Sequence, residues 1–182
     1  MAITEIPGDI VPLKETWGFF GGTFDPIHFG HINLAISLLE QHSLKGVLFC
    51  PAYCSVFKTM TPPTVSPEHR LAMLQIAIQD IPQFRICRLE IDSKAPVYTI
   101  DTIRTLTKEF SSIRLFLSDE SFAHFDQWKE PEEIVALAPP LIGPRTNISG
   151  TQIRARIKKK LYCGHLLPTK VLDYIHKNHL YS

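Results

Sequence analysis

The stretch GGTFDPIHFGH at residues 21–31 directly follows a short β-prone run, Thr16 to Phe20. The two glycines permit a tight turn and close approach of the backbone to a ligand, and Asp25 and Pro26 suit the start of a helix. His28 and His31 are three residues apart, so they lie on one face of that helix's first turn. Because free amides and the helix dipole favour an anion at the same place, this stretch predicts a phosphate site.

Other interpretations of residues 21–31 explain less of the stretch. A tight turn with two surface histidines accounts for each histidine alone, but not for the whole string after a strand. A His-x2-His pair lacks a third zinc ligand, and a P-loop requires G-x4-G-K-[ST], which the sequence does not contain. Gly30, between the histidines, is expected to leave room for substrate against the backbone.

Short apolar strands alternate with amphipathic helices along the chain. The expected strands are 16–20, 46–50, 84–91 and 113–117, and the expected helices are 32–39, 67–78, 99–110, 120–125 and 131–137. This alternation is typical of βαβ units and a parallel sheet. It predicts one Rossmann-like, doubly wound α/β domain over residues 16–182, with an N-terminal arm at 1–15 and a short C-terminal helical extension. Ligands of such sheets bind at the carboxyl ends of the strands.

The composition limits what kind of protein this is. With 182 residues, 45% of them hydrophobic, the chain can bury one sizeable core. A net charge of +1 excludes a diffuse binder of nucleic acid or anionic membrane. The longest apolar stretch, 134–143, is too short to span a membrane, and residues 1–15 show no secretory signal. We interpret the four cysteines as free thiols and expect a cytoplasmic protein, with homo-oligomerisation left open.

A second helix opening lies at residues 149–154, Ser-Gly-Thr-Gln-Ile-Arg. Ser149 is a good N-cap, and Thr151 and Arg154 are three residues apart, on one side of the helix. Hydroxyls, free amides and a guanidinium suit a polyphosphate. Taken alone, the motif is more typical of a capped surface helix; beside the first motif, the phosphate interpretation is favoured.

The two motifs resemble the signature of the nucleotidylyltransferase superfamily, whose bacterial form is GGTFDP-x-H-x-GH. More narrowly, the chain is similar to bacterial nicotinate-nucleotide adenylyltransferases from Trp17 to Tyr181. The further stretches that carry this likeness are the 51–58 loop, His69 to Leu74, Tyr98 to Ile103, Asp119 with Trp128, and 167–181.

The resemblance implies a reaction, its substrates and its catalytic residues. AMP passes from ATP to nicotinate mononucleotide, forming deamido-NAD and releasing pyrophosphate, a step of NAD biosynthesis. His28 and His31 would hold the α-phosphate, and Lys58 and Arg154 the β- and γ-phosphates. Mg²⁺ would enter as Mg-ATP, held mainly by the phosphates, so no protein metal ligands are expected. The partners are then ATP and a pyridine mononucleotide.

The resemblance also implies a wider set of binding residues. The implied ATP contacts are Gly21, Gly22, Thr23, Phe24, Gly30, Ser149, Thr151 and Asp119, and the implied acceptor contacts are Tyr98, Thr99 and Trp128. Core packing is an equal alternative for Trp128, and capping of the next helix is one for Asp119.

The chain departs from the family pattern in three motifs. Gly150 replaces a second serine, Phe57 replaces the histidine before Lys58, and Leu117 replaces a glycine at the end of the fourth strand, where it could crowd adenosine. Residues 137–148 are also few for the family. The alternatives left open are another adenylyl- or cytidylyltransferase, for example one acting on phosphopantetheine, and a degenerate nucleotide-binding protein. The retained charged residues favour an enzyme.

Overall fold

The computed structural model describes residues 15–54 and 62–182. Its centre is a parallel five-stranded sheet in the order β3-β2-β1-β4-β5. The strands are β1 (Thr16–Gly22), β2 (Gly46–Pro51), β3 (Phe84–Ile86), β4 (Ser112–Ser118) and β5 (Leu141–Gly143). The chain winds outward from β1 through β2 to β3 and then returns to β4 on the other side. The expected doubly wound sheet is therefore confirmed, and its order reverses between β1 and β4, where ligands of such sheets bind.

Helices cover both faces of the sheet. They are α1 (Phe29–Gln41), α2 (Pro67–Ile78), α3 (Leu89–Asp92), α4 (Thr99–Leu106), α5 (Asp119–Phe122), α6 (Pro131–Leu137), α7 (Gly150–Lys158) and α8 (Thr169–Lys177). No helix in the described part of the chain is long and apolar enough to cross a membrane. The expected N-terminal arm lies, but for its last residue, outside the described residues.

Side chains of neighbouring strand residues enter two separate cores. Phe20 of β1 belongs to the core shared with α1, α2, α7 and α8. Phe19, the preceding residue, belongs to the core shared with α4 and α6. Successive side chains of a strand point to opposite faces of a sheet, and helices lie on both faces here. The central strands are therefore apolar on both sides, which explains why their sequences read as continuous apolar runs.

The expectation of one strand over 84–91 is wrong. β3 ends at Ile86, and residues 89–92 form the helical turn α3. Arg88 and Asp92 pair at 2.8 Å across this turn, and the buried Glu90 accepts a hydrogen bond of 2.8 Å from the Thr102 hydroxyl. The pair of Arg88 and Asp92 needs a helical turn, because an extended chain would place residues four apart about 13 Å from each other.

Three other boundaries differ from expectation. Helix α4 ends at Leu106, four residues before the expected end, and the helix expected at 120–125 is α5 followed by a 3-10 turn at Phe125–Gln127. Strand β5, missed in the sequence, follows Pro139 and Pro140 and has only three residues. A strand of this length carries no readable alternation, so its pairing with β4 defines it.

Arg70 of α2 joins the loops that follow β1 and β2. Its side chain is fully buried and donates hydrogen bonds to the carbonyl oxygens of Thr23 at 2.8 Å, Ala52 at 2.6 Å and Tyr53 at 2.7 Å. These carbonyls lie in loops, and among residues 15–54 and 62–182 only Arg70 donates a hydrogen bond to them. One guanidinium thus satisfies several buried acceptors and fixes the two loops relative to each other.

Replacing Arg70 with methionine should destabilise the fold strongly. The aliphatic volume is kept, but three carbonyl groups lose their donor, so the free energy of unfolding should fall by about 3 kcal/mol or more. Urea denaturation measures this value. The matched control is Arg88→Met, which removes an exposed ion pair and should cost less than about 1 kcal/mol. Equal losses in the two variants would contradict the role given to Arg70.

Candidate functional site

A cleft of about 720 Å³ lies where β1 and β4 end. It is lined by the turn after β1 and by the first residues of α1, α4 and α7. The predicted site residues that line it are Gly21, Gly22, Thr23, Phe24, His28, Gly30, His31, Thr99, Trp128, Ser149, Thr151 and Arg154. The fold thus brings together two motifs that are more than 100 residues apart in the sequence.

His28 and His31 form a stacked pair in this cleft. Their ring centroids are 3.7 Å apart and the rings are inclined by 20°. His28 is the N-cap residue of α1 and makes no side-chain cap hydrogen bond. The Nδ1 atoms of both rings are buried without a hydrogen-bond partner among the described residues. Buried polar atoms are costly to leave unpaired, so the pair is suited to a ligand that supplies partners.

Burial makes both imidazoles poor bases in the ligand-free protein. Desolvation, reinforced by the charge of Arg145, lowers the pKa of His28 to about 4. Desolvation and the neighbouring His28 lower the pKa of His31 well below its ordinary value. Both rings are therefore neutral at pH 7. A bound phosphate would favour their protonated forms, because an opposite charge stabilises the cation.

The start of α7 brings the second motif to the same cleft. Ser149 is the N-cap, as predicted, and its hydroxyl accepts a hydrogen bond from the Gln152 amide. Arg154 donates to the Thr151 hydroxyl at 3.2 Å and to the carbonyl oxygen of Asp25 at 2.6 Å. The guanidinium of Arg154 therefore connects the two motifs directly.

Asp25 does not cap α1, so that expectation is wrong. The helix begins at Phe29, too far along the chain for Asp25 to be its cap. Its carboxylate accepts instead from the Thr64 amide at 2.7 Å and from the Tyr181 hydroxyl at 2.6 Å. These are contacts between distant parts of the chain, which a local sequence pattern does not reveal.

Two glycines of the site are explained by close contacts. A Cβ at position 150 would lie 2.7 Å from the carbonyl oxygen of Asp25, so glycine lets α7 begin directly against the first motif. A Cβ at Gly30 would lie 2.5 Å from the Thr146 hydroxyl and 3.0 Å from the His28 ring. A side chain at this position would therefore meet Thr146 and His28; Gly30 also lines the cleft, and its contact with substrate stays a prediction.

Two predicted nucleotide-site residues lie beside the cleft rather than in its lining. Asp119 lines an adjoining cavity of about 610 Å³, and its carboxylate accepts a hydrogen bond from the Arg145 amide. It is the first residue of α5, and Ser118 is the N-cap. Tyr98 is the N-cap residue of α4, and its exposed ring lies 4.7 Å from the Lys129 ammonium.

Four further residues named from the sequence lie partly outside the described residues and partly at the second core. Lys58, together with Phe57, lies outside the described residues. Trp128 lines the cleft and also packs against the second core, where its ring lies 5.4 Å from that of Phe125. Core packing is thus confirmed, and contact with the acceptor stays a prediction. Leu117 is buried in that core and borders the cleft.

Arg145 and Glu90 line the site as well and were not predicted from the sequence. Arg145 lines both cavities and is ion-paired with Glu120. Glu90 lines the cleft with a buried side chain, and burial raises the pKa of its carboxyl group. A sequence signal exists only for Arg145, which is a lone basic residue just after an apolar run. Glu90 gave no signal, because the strand expected at 84–91 included it, whereas the structure places it in α3.

Known proteins of one family are similar to this chain in sequence, and solved structures are similar to it in fold. The cytidylyltransferase-like family matches residues 19–156. The probable nicotinate-nucleotide adenylyltransferase of Methylacidiphilum infernorum is 34% identical, over 93% of this chain and 95% of its own. That of Thermus thermophilus is 35% identical, over 90% of this chain and 98% of its own. A Plasmodium falciparum nicotinic acid mononucleotide adenylyltransferase, solved with NaAD, has the same fold at a TM-score of 0.70 and 17% identity, covering 92% of this chain and 97% of that one.

The depressed pKa of His28 makes stability depend on pH. Because the value falls from 6.5 to about 4 on folding, the unfolded chain binds more protons between these pH values. The free energy of unfolding is therefore unaffected by this residue above pH 6.5. As the pH falls from 6.5 toward 4, the free energy of unfolding decreases by about 3 kcal/mol because of His28. Urea denaturation at several pH values should show a smaller decline in His28→Asn. The exposed His176 is the control, and His176→Asn should decline as the wild type does.

Gly150→Ala should destabilise the protein although alanine favours helices. The added methyl group meets the backbone of Asp25 at 2.7 Å, and such overpacking costs about 1–3 kcal/mol. The matched control is Gly21→Ala, whose Cβ would meet only the Phe19 ring at 3.6 Å, an ordinary contact. Thermal denaturation compares the two variants; a Gly150→Ala protein as stable as the control would disprove the close contact.

Proposed function

The chain belongs to the cytidylyltransferase-like family and to its nicotinate-nucleotide adenylyltransferases, and we propose that it transfers AMP from ATP to nicotinate mononucleotide. The products are deamido-NAD and pyrophosphate, and the reaction belongs to NAD biosynthesis. The protein is thus a nucleotidyltransferase.

The observation that carries the proposal is the meeting of two helix starts around one cleft. Both α1 and α7 begin there, with His28 and His31 at one start and Ser149, Thr151 and Arg154 at the other. Helix N-termini attract anions, and a guanidinium binds phosphate oxygens in a fork. A polyphosphate chain between the two starts would meet donors along its length.

The chemistry needs positioning more than covalent assistance. A phosphate oxygen of the mononucleotide attacks the α-phosphorus of ATP, a new P–O bond forms, and the bond to pyrophosphate breaks. The attacking oxygen is already anionic, so no strong general base is required. His28 and His31 stabilise the charge that develops at the α-phosphate. Arg154 and Lys58 neutralise the leaving pyrophosphate, with hydroxyl contacts from Ser149 and Thr151.

The acceptor is expected near the start of α4. Thr99 and Trp128 line that part of the cleft, and an indole ring can stack on a pyridine ring. Tyr98 would add a contact from the rim. Asp119, in the adjoining cavity, would contact the adenosine ribose.

Magnesium belongs to the substrate in this proposal. Mg²⁺ prefers phosphate oxygens and water, keeps much of its hydration, and would enter as Mg-ATP. There it neutralises the charge on the pyrophosphate that leaves. Residues 15–54 and 62–182 contain no group of three histidine, cysteine or acidic side chains that could hold a metal ion.

We propose a cytoplasmic location because the cysteine thiols are free. Cys50, Cys54, Cys87 and Cys163 are free, as expected of a protein in the reducing cytoplasm.

The decisive experiment offers purified protein a panel of acceptors. With ATP, Mg²⁺ and nicotinate mononucleotide we expect release of pyrophosphate and formation of the dinucleotide. Chromatography measures the dinucleotide. Nicotinamide mononucleotide, phosphopantetheine and flavin mononucleotide test other acceptors, and CTP tests another donor. Absence of turnover with every pair would contradict the enzymatic function, and preference for another pair would reassign the substrate.

The variant His31→Ala assigns the activity to this cleft. It should lower turnover by about 100-fold or more, because a donor to the charge at phosphorus is lost, while circular dichroism stays that of the wild type. His176→Ala, on an exposed face of α8, should keep full turnover.

A further inference from the structure

The carboxylate of Asp25 is the centre of a buried contact that the reaction as proposed does not use. The side chain is nearly inaccessible. One oxygen, Oδ1, accepts the Tyr181 hydroxyl at 2.6 Å. The other, Oδ2, accepts the Thr64 amide at 2.7 Å and lies 3.9 Å from the Arg154 guanidinium. The backbone carbonyl of the same residue accepts Arg154 Nη1 at 2.6 Å. Asp25 thus holds Arg154 through two of its groups.

Tyr181 is held in place for this contact. Its backbone has φ 62°, in the left-handed region, as does that of His179 with φ 52°. Each such residue costs about 1 kcal/mol or more when it is not glycine. Burial and the bond to Asp25 raise the pKa of the tyrosine hydroxyl, so it remains a donor. Leu180, between the two residues, is buried in the first core, which anchors the turn that brings Tyr181 to the site.

We propose that Tyr181 and Asp25 are positioning residues for Arg154. The hydroxyl of Tyr181 fixes the rotation of the Asp25 carboxyl group, so that Oδ2 stays in ion-pair distance of Nη1, at 3.9 Å. The backbone carbonyl of Asp25 holds the same Nη1 at 2.6 Å, and the two contacts together orient the guanidinium. Nη2, which contacts Thr151 at 3.2 Å, is thereby oriented for a phosphate. The inference rests on the proposed role of Arg154 in binding the phosphates of ATP. It assigns to the residues after α8 a part in nucleotide binding.

Two matched tyrosine variants test this role. Tyr181→Phe removes only the hydroxyl that meets Asp25. Tyr174→Phe also removes one hydroxyl, which lies 2.9 Å from His69 Nδ1 and makes no hydrogen bond to a proposed site residue within 15–54 and 62–182. The loss of a hydrogen bond to a charged group costs about tenfold or more in affinity. We expect Tyr181→Phe to raise the KM for ATP about tenfold and leave the KM for the acceptor unchanged. Tyr174→Phe should leave both values unchanged.

A double-mutant cycle separates positioning from general stability. Asp25→Asn alone should weaken ATP use at least as much as Tyr181→Phe does. Adding Tyr181→Phe to Asp25→Asn should then change kinetics little further, because the carboxylate it orients is gone. Unfolding free energies of all variants are measured in parallel. Tyr181→Phe with wild-type KM values, an equal rise in both KM values, or additive effects would overturn the proposal.

Direct binding distinguishes this inference from the proposed function. Calorimetric titration of the full chain with Mg-ATP, without acceptor, should give a Kd about tenfold higher for Tyr181→Phe than for wild type or Tyr174→Phe. If that difference appears but no acceptor is adenylylated, the function is wrong and the positioning role stands. If adenylyl transfer proceeds and the three Kd values agree, the positioning role is wrong and the function stands.

Discussion

The hydrogen bond from Arg154 to the carbonyl oxygen of Asp25 joins residues 129 positions apart in the chain. It makes one site of two motifs that are each a common local structure. The bond requires that β1 lie at the centre of the sheet, so that the turn after it faces the residues following β5. It also requires Gly150, because any Cβ there would press on the same carbonyl group. Sheet order, helix placement and one glycine therefore serve a single contact.

Local patterns account for the parts of this structure that the sequence predicts. The alternation of short apolar strands with helices predicts the sheet, and Ser149 occupies the predicted N-cap of α7. The two phosphate motifs predict the part of the cleft lining that lies at the starts of α1 and α7. Each of these signals lies within a few neighbouring residues, so it can be recognised in the sequence without knowledge of the tertiary structure.

The features that the sequence did not predict depend on distant partners. β5 is defined by its pairing with β4, and the turn at α3 by the contact of Glu90 with Thr102. Asp25 meets the local requirements of a cap, yet its carboxylate binds Tyr181 and Thr64 instead. In each place a short-range preference is overridden by a long-range hydrogen bond or strand pair, which no local pattern records.

Both edges of the sheet are short: β3 and β5 have three residues each, whereas β1 and β4 have seven. An edge strand exposes unpaired amides and carbonyls to which another chain can add. With so few residues at each edge, these strands offer little template for such addition. The long, doubly apolar strands that would aggregate most readily are enclosed in the middle. The winding order that creates the cleft thus also protects the protein from edge-to-edge association.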